Sequence, residues 1–113
     1  MSYTSRRGDL VWLTFDPRAG HEQVGTCSAF VLSPEACNRK TDLLLACPVT
    51  SKVKGYPSEV QLPAGLSVDG AILADQIKTL DWKARRAEFA RRIGYLVVEA
   101  VLALVLPLVG EEG

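Results

Sequence analysis

The sequence predicts a small, mainly β domain that folds as one barrel closed by a C-terminal helix. Two observations support this fold class. Short apolar runs separated by glycine, proline and aspartate turns recur along the first two thirds of the chain, a spacing typical of small β-barrels. The last third carries apolar residues at helical spacing. With 113 residues, the chain is expected to form one domain, residues 1–113, around a single core.

The strands are predicted from apolar, β-branched and aromatic runs bounded by turn residues. A polar loop is expected over 17–28, where two glycines occur without apolar periodicity. Between Pro34 and Asn38 at most a short helical turn is expected, and Asp69-Gly70 is a typical hairpin dipeptide. The predicted strands are Asp9 to Phe15, Ala29 to Leu32, Leu43 to Val49, Glu59 to Leu62, Ala71 to Leu73 and Ile77 to Trp82.

The C-terminal helix is predicted from five apolar residues at helical spacing: Val97, Ala100, Val101, Leu104 and Leu108. Pro107 and Gly110 are expected to help end it. The apolar run from Tyr95 to Leu108 is well short of a membrane span and contains Glu99, which favours a buried helix. Its apolar surface is wide enough to suggest burial on more than one side, as in a homodimer.

Charge and cysteine content limit the classes of function. Thirteen basic and thirteen acidic residues cancel, so any RNA site must be local. The clearest basic segment is Lys83 to Arg92, which is equally typical of a solvated face. Three cysteines and one histidine, without a recognisable export signal, favour a cytoplasmic protein with free thiols and no protein-built metal site.

Six blocks follow one another in the chain: GDLVWLTFDP from Gly8, GHEQVG from Gly20, AFVLSP from Ala29, CPVTS from Cys47, KGYPSEV from Lys54 and ADQIKTLDWKAR from Ala74. In this order and spacing the sequence resembles the MazF/PemK toxins of type II toxin-antitoxin systems. The resemblance implies an SH3-like barrel of the CcdB/MazF type that forms a homodimer and binds a MazE-like antitoxin. It also implies sequence-specific, metal-independent and cofactor-free cleavage of single-stranded mRNA by attack of the ribose 2′-hydroxyl.

By this resemblance the family's catalytic arginine falls two residues after the second glycine of GHEQVG, and its catalytic threonine falls on Thr50. The first of these positions is Cys27. A thiol cannot supply the charge of a guanidinium. Three explanations stay open: a deliberately disabled variant, a naturally weak or inactive homologue, or replacement by another arginine. The possible replacements are Arg18, Arg85 and Arg86.

The remaining site predictions come from two loops. In the first, Glu22 could act on the 2′-hydroxyl and Gln23 could read a base edge. In the second, lysines would bind phosphate and an aromatic ring would stack on a base. Each of these residues is also typical of an exposed polar loop. The predicted members of the second loop are Ser51, Lys52, Lys54 and Tyr56.

Two other functions are compatible with a small barrel. One is a non-catalytic toxin of the same fold that blocks a protein partner, as the gyrase poison CcdB does. The other is an SH3-like interaction module, for which the chain has few aromatic residues to build a groove. The GHEQVG and VTS loops favour the RNA-cleaving toxin.

Overall fold

The computed structural model describes residues 4–14, 26–63, 70–83 and 86–110. These residues form seven strands, two α-helices and one turn of 3-10 helix at 74–76. In chain order the strands and α-helices are β1 (Asp9–Thr14), β2 (Thr26–Val31), α1 (Glu35–Thr41), β3 (Leu43–Thr50), β4 (Glu59–Gln61), β5 (Ala71–Leu73), β6 (Lys78–Asp81), β7 (Glu88–Arg92) and α2 (Tyr95–Val109). The predicted mainly β fold with a C-terminal helix is confirmed.

The sheet is antiparallel and has the strand order β4-β5-β3-β2-β1-β7. Strand β3 is its longest member and changes partners along its length. Its first half, from Leu43 to Ala46, pairs with β6, whereas Val49 and Thr50 pair with β5. One strand therefore joins the two halves of the sheet, and its C-terminal end is where they meet.

Alternate residues of one strand point to opposite faces of the sheet. Side chains are buried on both of these faces, in two separate clusters. On one face the core lies beneath α2 and includes Leu10, Phe30 and Ile72. On the other face a second cluster includes Val11 and Val31, packed with the aromatic ring of Trp82. The apolar runs that predicted the strands are continuous for this reason.

Helix α2 packs through one stripe and exposes another. Val98, Val101 and Val105 are buried at the spacing of one helix face. The apolar residues Tyr95, Leu96, Leu106, Leu108 and Val109 are exposed, with Leu96 reaching 80%. None of the helices in the described ranges has the length and hydropathy needed to cross a membrane.

Asn38 joins three distant segments of the chain. Its buried side-chain amide donates hydrogen bonds to the carbonyl oxygens of Ser5 and Ser33, at 2.8 and 3.2 Å. Its own backbone carbonyl accepts a 3.0 Å hydrogen bond from the Trp82 indole. The short helix α1 is thereby fixed against the N-terminal segment and the turn after β6.

The structure corrects several predicted boundaries. Strand β2 begins at Thr26, inside the predicted polar loop, and the helical turn expected near Pro34 is the seven-residue α1. A strand was missed: β7 lies within the basic segment Lys83 to Arg92, for which a local RNA-binding segment and a solvated face were equally expected. Pro107 does not stop α2, which continues to Val109 before ending at Gly110. Because proline has no backbone N–H, residue 107 cannot donate the helical hydrogen bond to Ala103, yet α2 continues for two more residues.

Candidate RNA-cleavage site

The candidate site is a concavity of about 270 Å³ at the C-terminal end of β3. Four residues predicted from the sequence line it, and they are Thr50, Lys52, Lys54 and Tyr56. Five further residues complete the lining: Ser58, Glu59, Leu73, Asp75 and Gln76. Three segments contribute the residues that line the concavity: the loop after β3, the start of strand β4, and β5 with the 3-10 turn that follows it.

Thr50 is held at the junction of the two sheet halves. Its Oγ1 accepts a 3.1 Å hydrogen bond from the backbone N–H of Lys52, which turns the chain directly after β3. On the other side Gly70 packs against the Thr50 carbonyl so closely that an added Cβ would lie 2.1 Å from that oxygen. With φ at +131°, Gly70 also adopts a conformation that suits only glycine. Thr50 is thus fixed by contacts on both sides.

The loop that carries the two lysines is organised by a carboxylate. Glu59 accepts hydrogen bonds from the backbone N–H groups of Lys54, at 3.1 and 3.2 Å, and Gly55, at 2.8 Å. Hydrogen bonds to an ionised acceptor are among the stronger ones in proteins. Because Glu59 pairs with Leu73 across β4 and β5, the loop is tied to the sheet. Its side chains project into solvent, with Tyr56 59% exposed.

Strand β3 also carries Cys47, whose side chain is fully buried in the core under α2. Burial, with a smaller contribution from the Asp75 carboxylate, raises the pKa of this thiol to about 11. The Cys47 side chain therefore stays neutral at physiological pH and acts as an apolar core group. Among the residues that the structure describes, no three His, Cys, Asp or Glu side chains cluster as metal ligands would.

The sequence of this chain is similar to a family of known proteins. A model of the PemK-like, MazF-like toxin of type II toxin-antitoxin systems matches residues 6–108. The chain belongs to this toxin family. The endoribonuclease toxin MazF of Escherichia coli K12 is 42% identical over 108 residues, which are 96% of each chain. The endoribonuclease PemK of Escherichia coli is 34% identical over 101 residues, covering 85% of this chain and 75% of PemK.

Solved structures of the family agree with the fold. A MazE-MazF crystal structure from Deinococcus radiodurans has a TM-score of 0.91 and 50% sequence identity, covering 98% of this chain and all of that one. A mycobacterial endoribonuclease crystallised with its antitoxin has a TM-score of 0.76 at 19% identity, which shows the shared fold alone. The resemblance drawn from the six sequence blocks is confirmed.

The remaining predicted site residues of this toxin divide into three groups. Ser51 is exposed beside Thr50 but does not line the concavity, and Arg86 lies in the turn between β6 and β7. For Cys27 the structure describes the backbone, which pairs with Leu13 in β1. The others lie outside the described residues, and they are Arg18, Glu22, Gln23 and Arg85.

The sequence patterns did not place Ser58 and Glu59 at the site, nor did they place Asp75 and Gln76 there. Both of the latter side chains are exposed and line the concavity. A signal for Glu59 was present, because a carboxylate four residues after a turn glycine can bind that turn's free N–H groups. The others depend on strand pairing, which no local pattern reveals.

Proposed function

We propose that this chain is the toxin of a toxin-antitoxin pair and cuts single-stranded mRNA as a sequence-specific endoribonuclease. The observation that carries the proposal is the concavity that gathers Thr50 with Lys52, Lys54 and Tyr56 in a member of a family whose relatives are endoribonucleases. Hydroxyl, cation and aromatic groups at one exposed edge suit an unpaired RNA strand, whose phosphates and base faces are both accessible.

The proposed reaction is an internal transfer that needs no metal or cofactor. The ribose 2′-oxygen forms a bond to the adjacent phosphorus, and the bond between phosphorus and the 5′-oxygen breaks. The 2′-hydroxyl loses its proton to a base and the leaving 5′-oxygen gains one, giving a cyclic phosphate and a free 5′-hydroxyl. The protein contributes positioning, proton transfer and stabilisation of charge on the phosphoryl oxygens.

The side chains are assigned roles that match their chemistry. Thr50 donates its hydroxyl hydrogen to a phosphoryl oxygen, because its own oxygen already accepts the Lys52 amide and is thereby oriented. Lys54 binds a flanking phosphate, and Tyr56 stacks on a base. Glu22, in the GHEQVG block, takes the proton from the 2′-hydroxyl.

The proposed partners are a second copy of the chain and a MazE-like antitoxin. Support for the antitoxin comes from the MazE-MazF structures of Deinococcus radiodurans, to which this chain is 50% identical. Support for a dimer comes from the exposed apolar side chains of α2, since monomers rarely leave such groups together in water. A toxin acting on mRNA is placed in the cytoplasm.

The test is cleavage of a long single-stranded RNA in the presence of EDTA by the wild-type chain and by its Cys27→Arg variant. We expect fragments with cyclic phosphate and 5′-hydroxyl ends from at least the arginine variant. The matched control is Thr50→Val in each background, which keeps the shape of the side chain and removes the hydroxyl. Intact RNA with both Thr50-containing proteins would reject the proposed function in favour of a partner-blocking toxin.

A further inference from the structure

The family resemblance and the proposed reaction leave one chemical requirement without a residue. Negative charge builds on the phosphoryl oxygens during the transfer, and a cation placed against them lowers the barrier. The resemblance puts that cation at position 27, where the chain has cysteine. If this chain cleaves RNA, another positive side chain must reach the same phosphoryl group.

The pairing of β2 with β3 indicates the part of the site where that cation has to act. Strands β2 and β3 pair Val31 with Ala46 and Ala29 with Pro48. Two residues beyond this last pair, β2 contains Cys27 and β3 ends at Thr50. Position 27 and the candidate threonine therefore lie toward the same end of two paired strands, so a substitute cation must lie beside Thr50.

Lys52 meets this requirement. Its backbone N–H donates to Thr50 Oγ1 at 3.1 Å, so the turn fixes residue 52 directly beside the threonine. Its exposed side chain lines the same concavity as Thr50. A lysine stem is long and flexible, so the ammonium group can reach a phosphate bound at the neighbouring hydroxyl.

Two other cations of the described residues are less well placed. Lys54 also lines the concavity, but its backbone is bound to the Glu59 carboxylate, whose negative charge opposes a net positive potential there. Arg86 is in the turn between β6 and β7 and does not line the concavity. Lys52 is the described cation that the chain ties to Thr50.

We propose that Lys52 is a catalytic residue of this toxin, supplying the positive charge on the phosphoryl group that arginine at position 27 would otherwise supply. The inference rests on the proposed function and adds the identity of the cation to it. Lysine is a point charge and lacks the two-pronged geometry with which arginine binds two oxygens. The chain is thus a working but slower enzyme, and Cys27→Arg makes it faster.

The experiment measures kcat and KM on a fluorescent single-stranded RNA oligonucleotide for the wild type, Lys52→Gln, Lys52→Arg and Cys27→Arg, and for Lys52→Gln combined with Cys27→Arg. We expect Lys52→Gln to lower kcat by about 100-fold with little change in KM, and Lys52→Arg to retain most of it. In the Cys27→Arg background the loss caused by Lys52→Gln shrinks to less than ~10-fold, since a second cation is present. The matched control is Lys40→Gln, which makes the same change of charge at an exposed position of α1. It leaves kcat and KM unchanged.

The outcomes separate the inference from the function on which it rests. Wild-type kcat in Lys52→Gln would overturn the inference, and so would an equal loss in both backgrounds, which would indicate a role independent of position 27. A silent wild type beside an active Cys27→Arg variant would also overturn it while leaving the ribonuclease function intact. Silence of every protein would reject the function itself.

Discussion

Among the residues that the structure describes, two concavities lined by cations differ in how their cations are held. One, about 520 Å³, lies where β7 meets α2 and is lined by Arg7 and Arg92. The other is the candidate site with Lys52 and Lys54. In the sheet order the strands β3 and β2 separate β5, at the candidate site, from β1 and β7. The two basic regions belong to different parts of the sheet.

The arginines hold the fold together. Arg92 Nη1 donates a 3.0 Å hydrogen bond to Asp9 Oδ1, and that aspartate is only 1% exposed. Arg7 Nε donates to the backbone carbonyl of Leu32. Lys52 and Lys54, in contrast, are positioned by hydrogen bonds of their backbone amides. The density of positive charge in a sequence therefore does not distinguish cations that hold the fold together from cations whose charged groups project into solvent.

The largest effect is expected at Gly70, where the candidate site depends on close backbone packing. Gly70→Ala places a Cβ against the Thr50 carbonyl and keeps an unfavourable positive φ, and it should cost about 3 kcal/mol or more. Cleavage should fall with it, because Thr50 must move. Urea unfolding and RNA cleavage at a temperature where the variant is folded would measure both effects.

Gly55→Ala is the matched control for that change. Its φ of +80° is also unfavourable for alanine, but an added Cβ meets nothing within 4 Å, so the cost should be roughly 1–2 kcal/mol. Equal losses of stability at the two glycines would show that Gly70 is not packed against Thr50.

A smaller effect on stability is expected at the arginine-lined concavity. Asp9→Ala removes a buried carboxylate that accepts hydrogen bonds from the Arg6 amide and from Arg92, at a cost of about 1–3 kcal/mol. Because Arg92 is half-exposed, solvent screening keeps the loss toward the lower end. Asp9→Asn should recover part of the lost stability.

Chemical denaturation measures the loss of stability in both variants. The kcat per folded molecule should not change, and a lowered kcat would mean that this region takes part in the reaction.

The smallest expected change in stability, with a specific change in activity, is at Glu59. Glu59→Ala frees the backbone N–H groups of Lys54 and Gly55, which water can then solvate because the loop is exposed. The free energy of unfolding should change by less than ~1 kcal/mol, while kcat/KM should fall about 10-fold as Lys54 loses its fixed position. Glu59→Gln, which keeps an acceptor oxygen, should be intermediate. Unchanged cleavage by both variants would show that the order of the loop is irrelevant to RNA binding.

Most of the fold was predictable because the strands β1, β2 and β5 are largely buried and therefore read as apolar runs. Strand β7 was not, since its sequence, EFARR, is largely exposed and carries charge. It forms because β1, which pairs with β2 on one side, pairs with β7 on its other side. Leu10 lies opposite Arg91, and Asp9 lies opposite Arg92. The ion pair between Arg92 and Asp9 also belongs to this pairing. Such tertiary pairing overrides local preference.

The candidate site was only partly predictable, for a similar reason. Thr50 came from the family resemblance, and Lys52, Lys54 and Tyr56 came from the chemistry of one turn. The other lining residues of the concavity could be predicted only from the pairing of β4 with β5, which sets Glu59 beside Leu73 and the 3-10 turn. Residues that share a loop are visible in a sequence, whereas residues that share a cavity depend on register.

The pairing of β1 with β7 also bears on the order of events during synthesis. Asp9 and Arg92 are 83 residues apart in the chain, so β1 cannot pair with β7 until residues up to Arg92 have left the ribosome. Contacts of such long separation are slow to close. The core beneath α2 is completed later still, because Val98, Val101 and Val105 follow β7. A nascent chain of this toxin therefore keeps the apolar surface beneath α2 open until the residues of that helix have been synthesised.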